Sequence, residues 1–317
     1  MCRPDREEVV AARRTVRVHL LTGRRGVEQA IALLDEAESR LESPLVDEAE
    51  RERLQALASG EQGPEPHWHP LLARGEEVAS GYGGVVFPTR SGESASADLA
   101  VHRAIEPCGD TVSALLEALR ELTARHAVDT LIVWIRHATD DDVACARAAG
   151  FGVHRRLLVL GRDLDSTPDP ALPAGVTMRP YRPDVDDDAV VEVLTAAFGG
   201  VETDWDHARL ARRRSFEWFD PADLLLAEDP QGRIPALHWT KRRGAGVGEV
   251  YVLAVRPEAQ GGGLGRGLLR AGLRHLRGRG CDEVLLWVDE ENVAAVHLYR
   301  SEGFSTRWVD VAFETTR

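Results

Sequence analysis

The most constraining feature of the sequence is a strand that runs into a glycine-rich turn and then into a helix. Residues 253–255 end an apolar run, residues 261–265 include four glycines, and leucines at helical spacing follow from Leu264 to Leu276. Backbone N–H groups at a helix N-terminus have no partner within the helix and lie at the positive end of its dipole. Glycines let ligand oxygens approach the main chain. The segment therefore predicts an α/β unit that binds a phosphorylated ligand.

The spacing of the turn selects among phosphate-binding motifs. No Lys-Ser or Lys-Thr follows the glycines, and the motif lies late in the chain, so neither a P-loop nor a dinucleotide fold fits. The pattern Gln260-x-x-Gly263-x-Gly265 resembles the coenzyme A pyrophosphate loop of the GNAT acetyltransferase superfamily; the alternative is a glycine-rich surface turn. The resemblance implies acetyl-coenzyme A as co-substrate. It implies cofactor contacts from Leu253, Ala254, Val255, Gln260, Gly261, Gly262, Gly263, Leu264, Gly265 and Arg266.

A second motif follows the loop in the order that the superfamily uses. Residues 292–304 predict a helix ended by Gly303 and followed by a strand. They resemble the superfamily's closing element, Asn-x-x-Ala-x-x-x-Tyr-x-x-x-Gly-Phe, whose tyrosine lies near the cofactor thiol. Tyr299 is then the proton donor to the departing thiolate, or else an ordinary core residue. The resemblance adds cofactor contacts from Asn292, Val293, Ala294, Ala295, Val296 and His297.

The chain of 317 residues contains a long internal repeat. Residues 97–101 match residues 251–255 at an offset of 154, and Gly150-Phe151 matches Gly303-Phe304 at an offset of 153. The predicted fold class is α/β, with two tandem GNAT folds, each a mixed, mostly antiparallel sheet with splayed central strands flanked by helices. The predicted domains are residues 1–160 and 176–317, joined by a proline-rich linker over residues 161–175.

The two repeats carry different residues at the loop. Where the second has residues 260–265, the first has Glu106, Pro107, Cys108, Gly109, Asp110 and Thr111. Proline lacks an N–H donor, and carboxylates repel phosphate. The first repeat also has no tyrosine matching Tyr299. It is predicted to be degenerate and non-catalytic, with weak or no cofactor binding.

Charge and cysteine usage bound the class of partner. The formal net charge is −13, from 52 acidic and 39 basic residues, which argues against nucleic acid or an anionic membrane and suits an amine substrate. The four cysteines lie far apart without metal-ligand spacing, and His67 and His69 have no third ligand in view, so no metal is expected. Without an apolar run of about 18 residues or a signal peptide, the chain is predicted to be cytoplasmic, and we expect a monomer.

Further residues narrow the resemblance. His238-Trp-Thr-Lys241, Gly248-Glu-Val-Tyr-Val252 and residues 218–224 resemble the mycothiol synthase family of tandem GNAT enzymes. That resemblance implies acetyl transfer to the cysteinyl amine of cysteinyl-glucosaminyl-inositol, the last step of mycothiol biosynthesis. Two alternatives stay open: acetylation of another amine, such as an antibiotic or a protein N-terminus, and a non-catalytic acetyl-coenzyme A binding module.

Acetyl transfer needs a neutral amine, and a cysteinyl α-amine with a pKa of about 7.7 to 8 is mostly protonated at pH 7. Glu249 is the candidate base, because it begins the strand that leads to the loop; we expect its carboxylate to be desolvated. The alternative is a solvent-facing strand-end glutamate. By resemblance the substrate contacts are Glu42, Glu202, Lys241, Glu249 and Trp287. Trp287 and Gly262 depart from the family, which usually has tyrosine and a charged or polar residue there.

Overall fold

The computed structural model describes residues 8–13, 16–41, 43–60, 66–75, 78–90, 92–105, 108–199, 205–244 and 246–316. The chain divides into two compact units. Unit 1 consists of Met1–Leu157 and Trp308–Arg317, and unit 2 of Leu158–Arg307. Among the described residues, no helix has both the length and the apolar character that crossing a bilayer requires.

Unit 1 is a mixed sheet with helices. Its helices are α1 (Arg24–Leu41), α2 (Glu48–Ser59), α3 (Cys108–Arg125) and α4 (Asp140–Ala148). Its strands are β1 (Glu8–Arg13), β2 (Val16–Leu20), β3 (Trp68–Arg74), β4 (Ala79–Val86), β5 (Ala95–Val101), β6 (Thr130–Ile135) and most of β13 (Ser305–Thr316). The sheet order is β1-β2-β3-β4-β5-β6-β13, and only β5 and β6 are parallel among the registers described. The C-terminal strand of the chain thus belongs to unit 1, which the sequence did not indicate.

Unit 2 repeats this plan. Its helices are α5 (Asp187–Phe198), α6 (His207–Arg214), α7 (Leu264–Gly278) and α8 (Val293–Ser301). Its strands are β7 (Gly152–Asp163, which begins in unit 1), β8 (Thr177–Pro180), β9 (Leu224–Glu228), β10 (Ala236–Gly244), β11 (Val247–Val255) and β12 (Glu283–Asp289). The order is β7-β12-β11-β10-β9-β8, with β11 and β12 parallel. The predicted fold class is confirmed.

The helix after the glycine turn forms as its leucine spacing predicts. Leu264, Leu268, Leu269, Leu273 and Leu276 are all buried, and each buried leucine contributes about 1.5–3 kcal/mol relative to an exposed one. On the same helix, Gly272 lies against the ring of His238 on β10, where an added Cβ would come within 2.1 Å of ring atoms. His238 Nδ1 donates to the Leu268 carbonyl at 2.9 Å. Helix α7 therefore packs closely against β10 at Gly272, and the His238 hydrogen bond holds it there.

The central parallel strands separate in unit 2. The register of β11 with β12 runs from Val247↔Glu283 to Glu249↔Leu285, and both strands continue beyond it. In unit 1, the register of β5 with β6 begins at Ala95↔Leu131 and runs to Leu99↔Ile135, the last residue of β6. At the repeat offset of 154, Ala95 corresponds to Glu249. The strands of unit 1 are therefore paired where those of unit 2 diverge.

The proline-rich stretch packs against unit 2. Its first three residues end β7, and Ala171 lies so close to α7 that a Cβ on Gly267 would meet its carbonyl oxygen at 2.6 Å. Arg277 donates to the Leu164 carbonyl at 2.9 Å. The domain boundaries at residues 160 and 176 stay a prediction.

Candidate active site

The glycine turn presents unobstructed main chain at the start of α7. Gly261 and Gly263 have φ of 83° and 81°, the left-handed region that favours glycine. A Cβ added to Gly261, Gly262 or Gly263 would meet no atom within 4 Å. Among the residues that the structure describes, no side chain caps α7, and the first turn of this helix contains no acidic residue. Because the first N–H groups of a helix have no partner within the helix and this first turn holds no acid, the turn fits a pyrophosphate.

Other predicted loop residues shape the turn rather than face open space. Gln260 Nε2 donates to the Val255 carbonyl at 3.2 Å, which ties the turn to the end of β11. Arg266 forms an ion pair with the buried carboxylate of Glu302, and Arg270 Nε donates to the same group at 2.8 Å. Burial raises the pKa of Glu302, but the hydrogen bonds from Arg270 and Arg266 outweigh burial and leave it lowered. The side chain of Arg266 thus anchors α7 to the end of α8.

Strand β11 carries a bulge just before the turn. Trp239 and Thr240 on β10 pair with Val252 and Val250, which leaves Tyr251 as an extra residue on β11. The last three residues of the strand, Leu253, Ala254 and Val255, pair with β10 on one side, and the register with β12 on the other side has already ended. The predicted pantetheine contacts therefore lie on the strand edge where β11 and β12 diverge.

Glu249 occupies the last β11 position paired with β12. Its side chain is only 8% exposed, which fits the expected desolvated carboxylate, and Arg243 Nε donates to its Oε2 at 2.7 Å. The Arg243 guanidinium carbon also lies 4.6 Å from the ring centroid of Trp287 on β12. Arg243 thus links Glu249 to Trp287. The sequence predicted Glu249 and Trp287 as site residues but did not predict Arg243.

Lys241 lies directly across from Glu249 in the β10–β11 register. Its Nζ is 4.3 Å from the ring centroid of Trp218 and 5.7 Å from that of Tyr251. The two rings are 5.0 Å apart at an interplanar angle of 63°. A cation held over aromatic faces beside a carboxylate suits a polar acceptor with apolar ring faces.

Tyr299 is buried on α8, where its ring meets that of Phe304 edge to face at 5.7 Å. Burial raises the pKa of Tyr299 to about 12. The phenol therefore keeps its proton at physiological pH and acts as a hydrogen-bond donor.

The start of α8 is largely exposed. The Asn292 side chain caps the helix by accepting from the Ala295 N–H at 3.2 Å. Val293, Ala294 and His297 are exposed, and Ala295 and Val296 are half-buried. Asn292 thus has a local structural task beside its predicted cofactor contact.

Two predicted substrate contacts, Glu42 and Glu202, lie outside the described residues, as do Glu106 and Pro107 of the first-repeat loop. Cys145 and Cys281 are free thiols. In the part of the chain that the structure describes, no cluster of three His, Cys, Asp or Glu residues could hold a metal.

The sequence did not predict that Arg243, Trp218 and Tyr251 lie beside the candidate site residues Glu249, Lys241 and Trp287. Trp218 and Tyr251 stood in the motifs that carried the resemblance, so they could have been proposed from it. Arg243 gave a weaker signal: it lies two residues after Lys241, on the same face of a strand.

Comparison with known proteins gives this arrangement its class. The sequence model of the Acetyltransferase (GNAT) family matches residues 188–304. A GCN5-related N-acetyltransferase from Sphaerobacter thermophilus superposes with a TM-score of 0.73 at 23% identity, covering 96% of both chains. A tandem GNAT protein from the clavulanic acid biosynthesis pathway gives 0.68 at 19% identity, covering 95% of this chain and 98% of that protein. Fold and loop together define a GNAT acetyltransferase architecture in tandem.

Sequence relatives narrow the class. Mycothiol acetyltransferase from Thermomonospora curvata is 40% identical over 249 residues, covering 77% of this chain and 82% of that protein. The mycothiol acetyltransferase of Streptomyces avermitilis is 38% identical over 296 residues, covering 91% of each. The chain belongs to the mycothiol acetyltransferase family.

Proposed function

We propose that this chain transfers the acetyl group of acetyl-coenzyme A to the cysteinyl amine of cysteinyl-glucosaminyl-inositol, the last step of mycothiol biosynthesis. The observation that carries the proposal is the position of Glu249: a buried carboxylate at the point where β11 and β12 separate, on the strand that leads to the open glycine turn. Its family relatives, named mycothiol acetyltransferases, support the same reaction.

The co-substrate supplies an activated acetyl thioester, and the chain's own groups supply binding and proton handling. Main-chain N–H groups at residues 261–265 bind the pyrophosphate, and the free edge of residues 253–255 offers hydrogen bonds to the pantetheine amides. The start of α8, residues 292–297, covers the cofactor. The acceptor is a small molecule.

Glu249 takes a proton from the ammonium form of the acceptor, directly or through a water, which frees the nitrogen lone pair for attack. Tyr299 donates a hydrogen bond toward the departing sulfur. Because the Tyr299 pKa is about 12, well above the roughly 8.5 of a thiol, the phenol stabilises the thiolate without giving up its proton fully.

Acceptor recognition is assigned to Lys241, Trp287 and Glu249, with Glu42 and Glu202 as further contacts. Trp287 keeps an aromatic face for stacking on a sugar, although it lacks the hydroxyl of tyrosine. Unit 1 has no chemical role in this proposal, and the enzyme is a cytoplasmic monomer that uses no metal.

A steady-state assay with the full chain, acetyl-coenzyme A and cysteinyl-glucosaminyl-inositol tests the proposal, with mass spectrometry of the product. We expect N-acetylation of the cysteinyl amine, and we expect Tyr299→Phe to lower the rate of this reaction. Faster turnover of an aminoglycoside or of a peptide N-terminus would contradict the acceptor. If the chain binds the cofactor but acetylates no amine, it is a non-catalytic acetyl-coenzyme A binding module instead. Size-exclusion chromatography with light scattering checks the monomer.

A further inference from the structure

We infer that Arg243 is a positioning residue for the reaction: it fixes the Glu249 carboxylate and the Trp287 indole relative to each other at the mouth of the diverging strands. This inference rests on the proposed function, because it assumes that Glu249 is the base. Neither the loop nor the closing motif includes Arg243.

The geometry places Arg243 between the two groups. It extends from β10, donates through Nε to Glu249 Oε2 on β11 at 2.7 Å, and lays its guanidinium carbon 4.6 Å from the Trp287 centroid on β12. One side chain thus touches residues of both strands at the level where their pairing ends. Beyond that level the β11–β12 ladder no longer holds the two strands together, so a side-chain link is the next source of order.

The energetics favour a fixed carboxylate. A buried carboxylate without a compensating charge costs several kcal/mol, so the Glu249 side chain has a strong preference for the rotamer that reaches Arg243. Arginine is suited to the task because its guanidinium stays charged, and its plane can stack on an indole while an N–H points sideways at an oxygen. Arg243 donates to Oε2 of Glu249, so the other oxygen, Oε1, is assigned to receive the acceptor's proton.

A neighbouring residue provides a matched control. Arg242 is next in sequence on the same strand, but it points to the other face, where its Nε lies 3.5 Å from Asp223. Arg242→Gln removes the same charge from β10 without touching Glu249 or Trp287.

The test is a double-mutant cycle in the full chain with Arg243→Gln, Glu249→Gln and the double variant, beside Arg243→Lys and Arg242→Gln. Misplacing a catalytic group costs about 100-fold, so Arg243→Gln should lower kcat about 100-fold while the KM for acetyl-coenzyme A stays within about twofold. In the Glu249→Gln background the same change should cost less than about threefold, because Arg243 acts through Glu249. Arg243→Lys should recover part of kcat, and Arg242→Gln should behave as wild type.

Several outcomes would overturn the inference. Losses that multiply in the double variant would mean that Arg243 acts independently of Glu249. A higher acceptor KM at unchanged kcat would make it a substrate contact only. If Arg243→Gln does not fold by circular dichroism, the lysine variant decides: full wild-type kcat there rules out positioning. A wild-type chain that acetylates no cysteinyl acceptor refutes the proposed function instead, which keeps the two failures distinct.

Discussion

The turn before α7 in unit 2 and the start of α3 in unit 1 occupy equivalent positions in two copies of one fold, yet they offer a ligand opposite surfaces. At Gly261, Gly262 and Gly263 the space beside the main chain is open. In unit 1, Thr111, which corresponds to Gly265, is fully buried and donates to Ser80 Oγ at 3.0 Å. Its helix also has Asp110 in the first turn, where α7 has no acid.

The same contrast continues along the strands. The β5–β6 pair is closed at the level where β11 and β12 separate. Ala95 stands where unit 2 has Glu249, and Ala146 where it has Tyr299. In its described residues, unit 1 thus keeps the scaffold of strands and helices without the opening, the carboxylate or the phenol at these positions. One fold appears twice, and the proposed function assigns the chemistry to particular side chains in one copy.

The largest expected effect is on turnover. Glu249→Gln should lower kcat by about 10² to 10⁴-fold, the range for loss of a general base, while acetyl-coenzyme A affinity is retained. Cys145→Ser, next to Ala146 at the position in unit 1 equivalent to Tyr299, should leave kcat unchanged. Steady-state kinetics and calorimetric cofactor titration check both. A Cys145 variant that loses turnover would break the assignment of chemistry to unit 2 alone.

The packing behind the site gives the next effect. Gly272→Ala should destabilise the chain by about 2–4 kcal/mol, because the new Cβ collides with the His238 ring and forces it off the Leu268 carbonyl. The equivalent helix position in unit 1 is Ala118, so the restriction is specific to unit 2. Chemical denaturation measures it. The control Gly278→Ala, which meets nothing within 4 Å, should be neutral or slightly stabilising; equal losses in both variants would refute the steric account.

Unit 1 has its own buried carboxylate, in a closed network instead of an opening. Glu50 accepts hydrogen bonds from Tyr82 and, at 2.9 Å, from Trp68, and it pairs with Arg53 at 3.0 Å. Burial, helped by the charge of Asp98, raises the pKa of Glu50 from 4.5 to about 7, against the hydrogen bonds from Tyr82 and Trp68. The folded state therefore holds a proton that the unfolded state releases between pH 4.5 and 7.

Stability linked to Glu50 should consequently fall as pH rises through that window and level off above pH 7, by a total of about 3 kcal/mol. Glu50→Gln should remove this dependence without changing kcat. Denaturant unfolding at pH 5 and pH 7.5 measures the difference between variant and wild type. Exposed Glu48→Gln on the same helix is the control, and a difference for Glu50→Gln that does not change with pH would contradict the assignment.

The smallest effect concerns charge at the turn. Gly262→Asp should weaken acetyl-coenzyme A binding about 3- to 10-fold, because a carboxylate would stand beside the pyrophosphate, and Gly262→Arg should tighten it by a similar factor. Among the described residues, no atom lies within 4 Å of a Cβ built at this position. Calorimetry gives the dissociation constant of each variant. If both constants change in the same direction, the charge at residue 262 does not control cofactor affinity.

The sequence predicted the fold well because its patterns were local. The leucine spacing of α7 and the glycine turn each depend on neighbours in the chain, and the 154-residue offset relates two such local patterns. All three match the structure. The burial of Glu249 was also predictable, since it lies on the strand that leads into the turn.

Contacts between distant residues were not accessible in the same way. Arg243 reaches Glu249 and Trp287 only because β10, β11 and β12 lie side by side, and Arg266 turns toward Glu302 at the far end of α8. Strand β13 belongs to unit 1 because it pairs with β6, which lies more than 170 residues earlier in the chain. No local pattern encodes such partners.

The central claim, that one of two similar units binds the acyl donor, is tested most directly by isothermal titration calorimetry of the full chain with acetyl-coenzyme A. The account predicts one site per chain, weakened by Gly262→Asp. Two equivalent sites, or no binding by the folded chain, would contradict it.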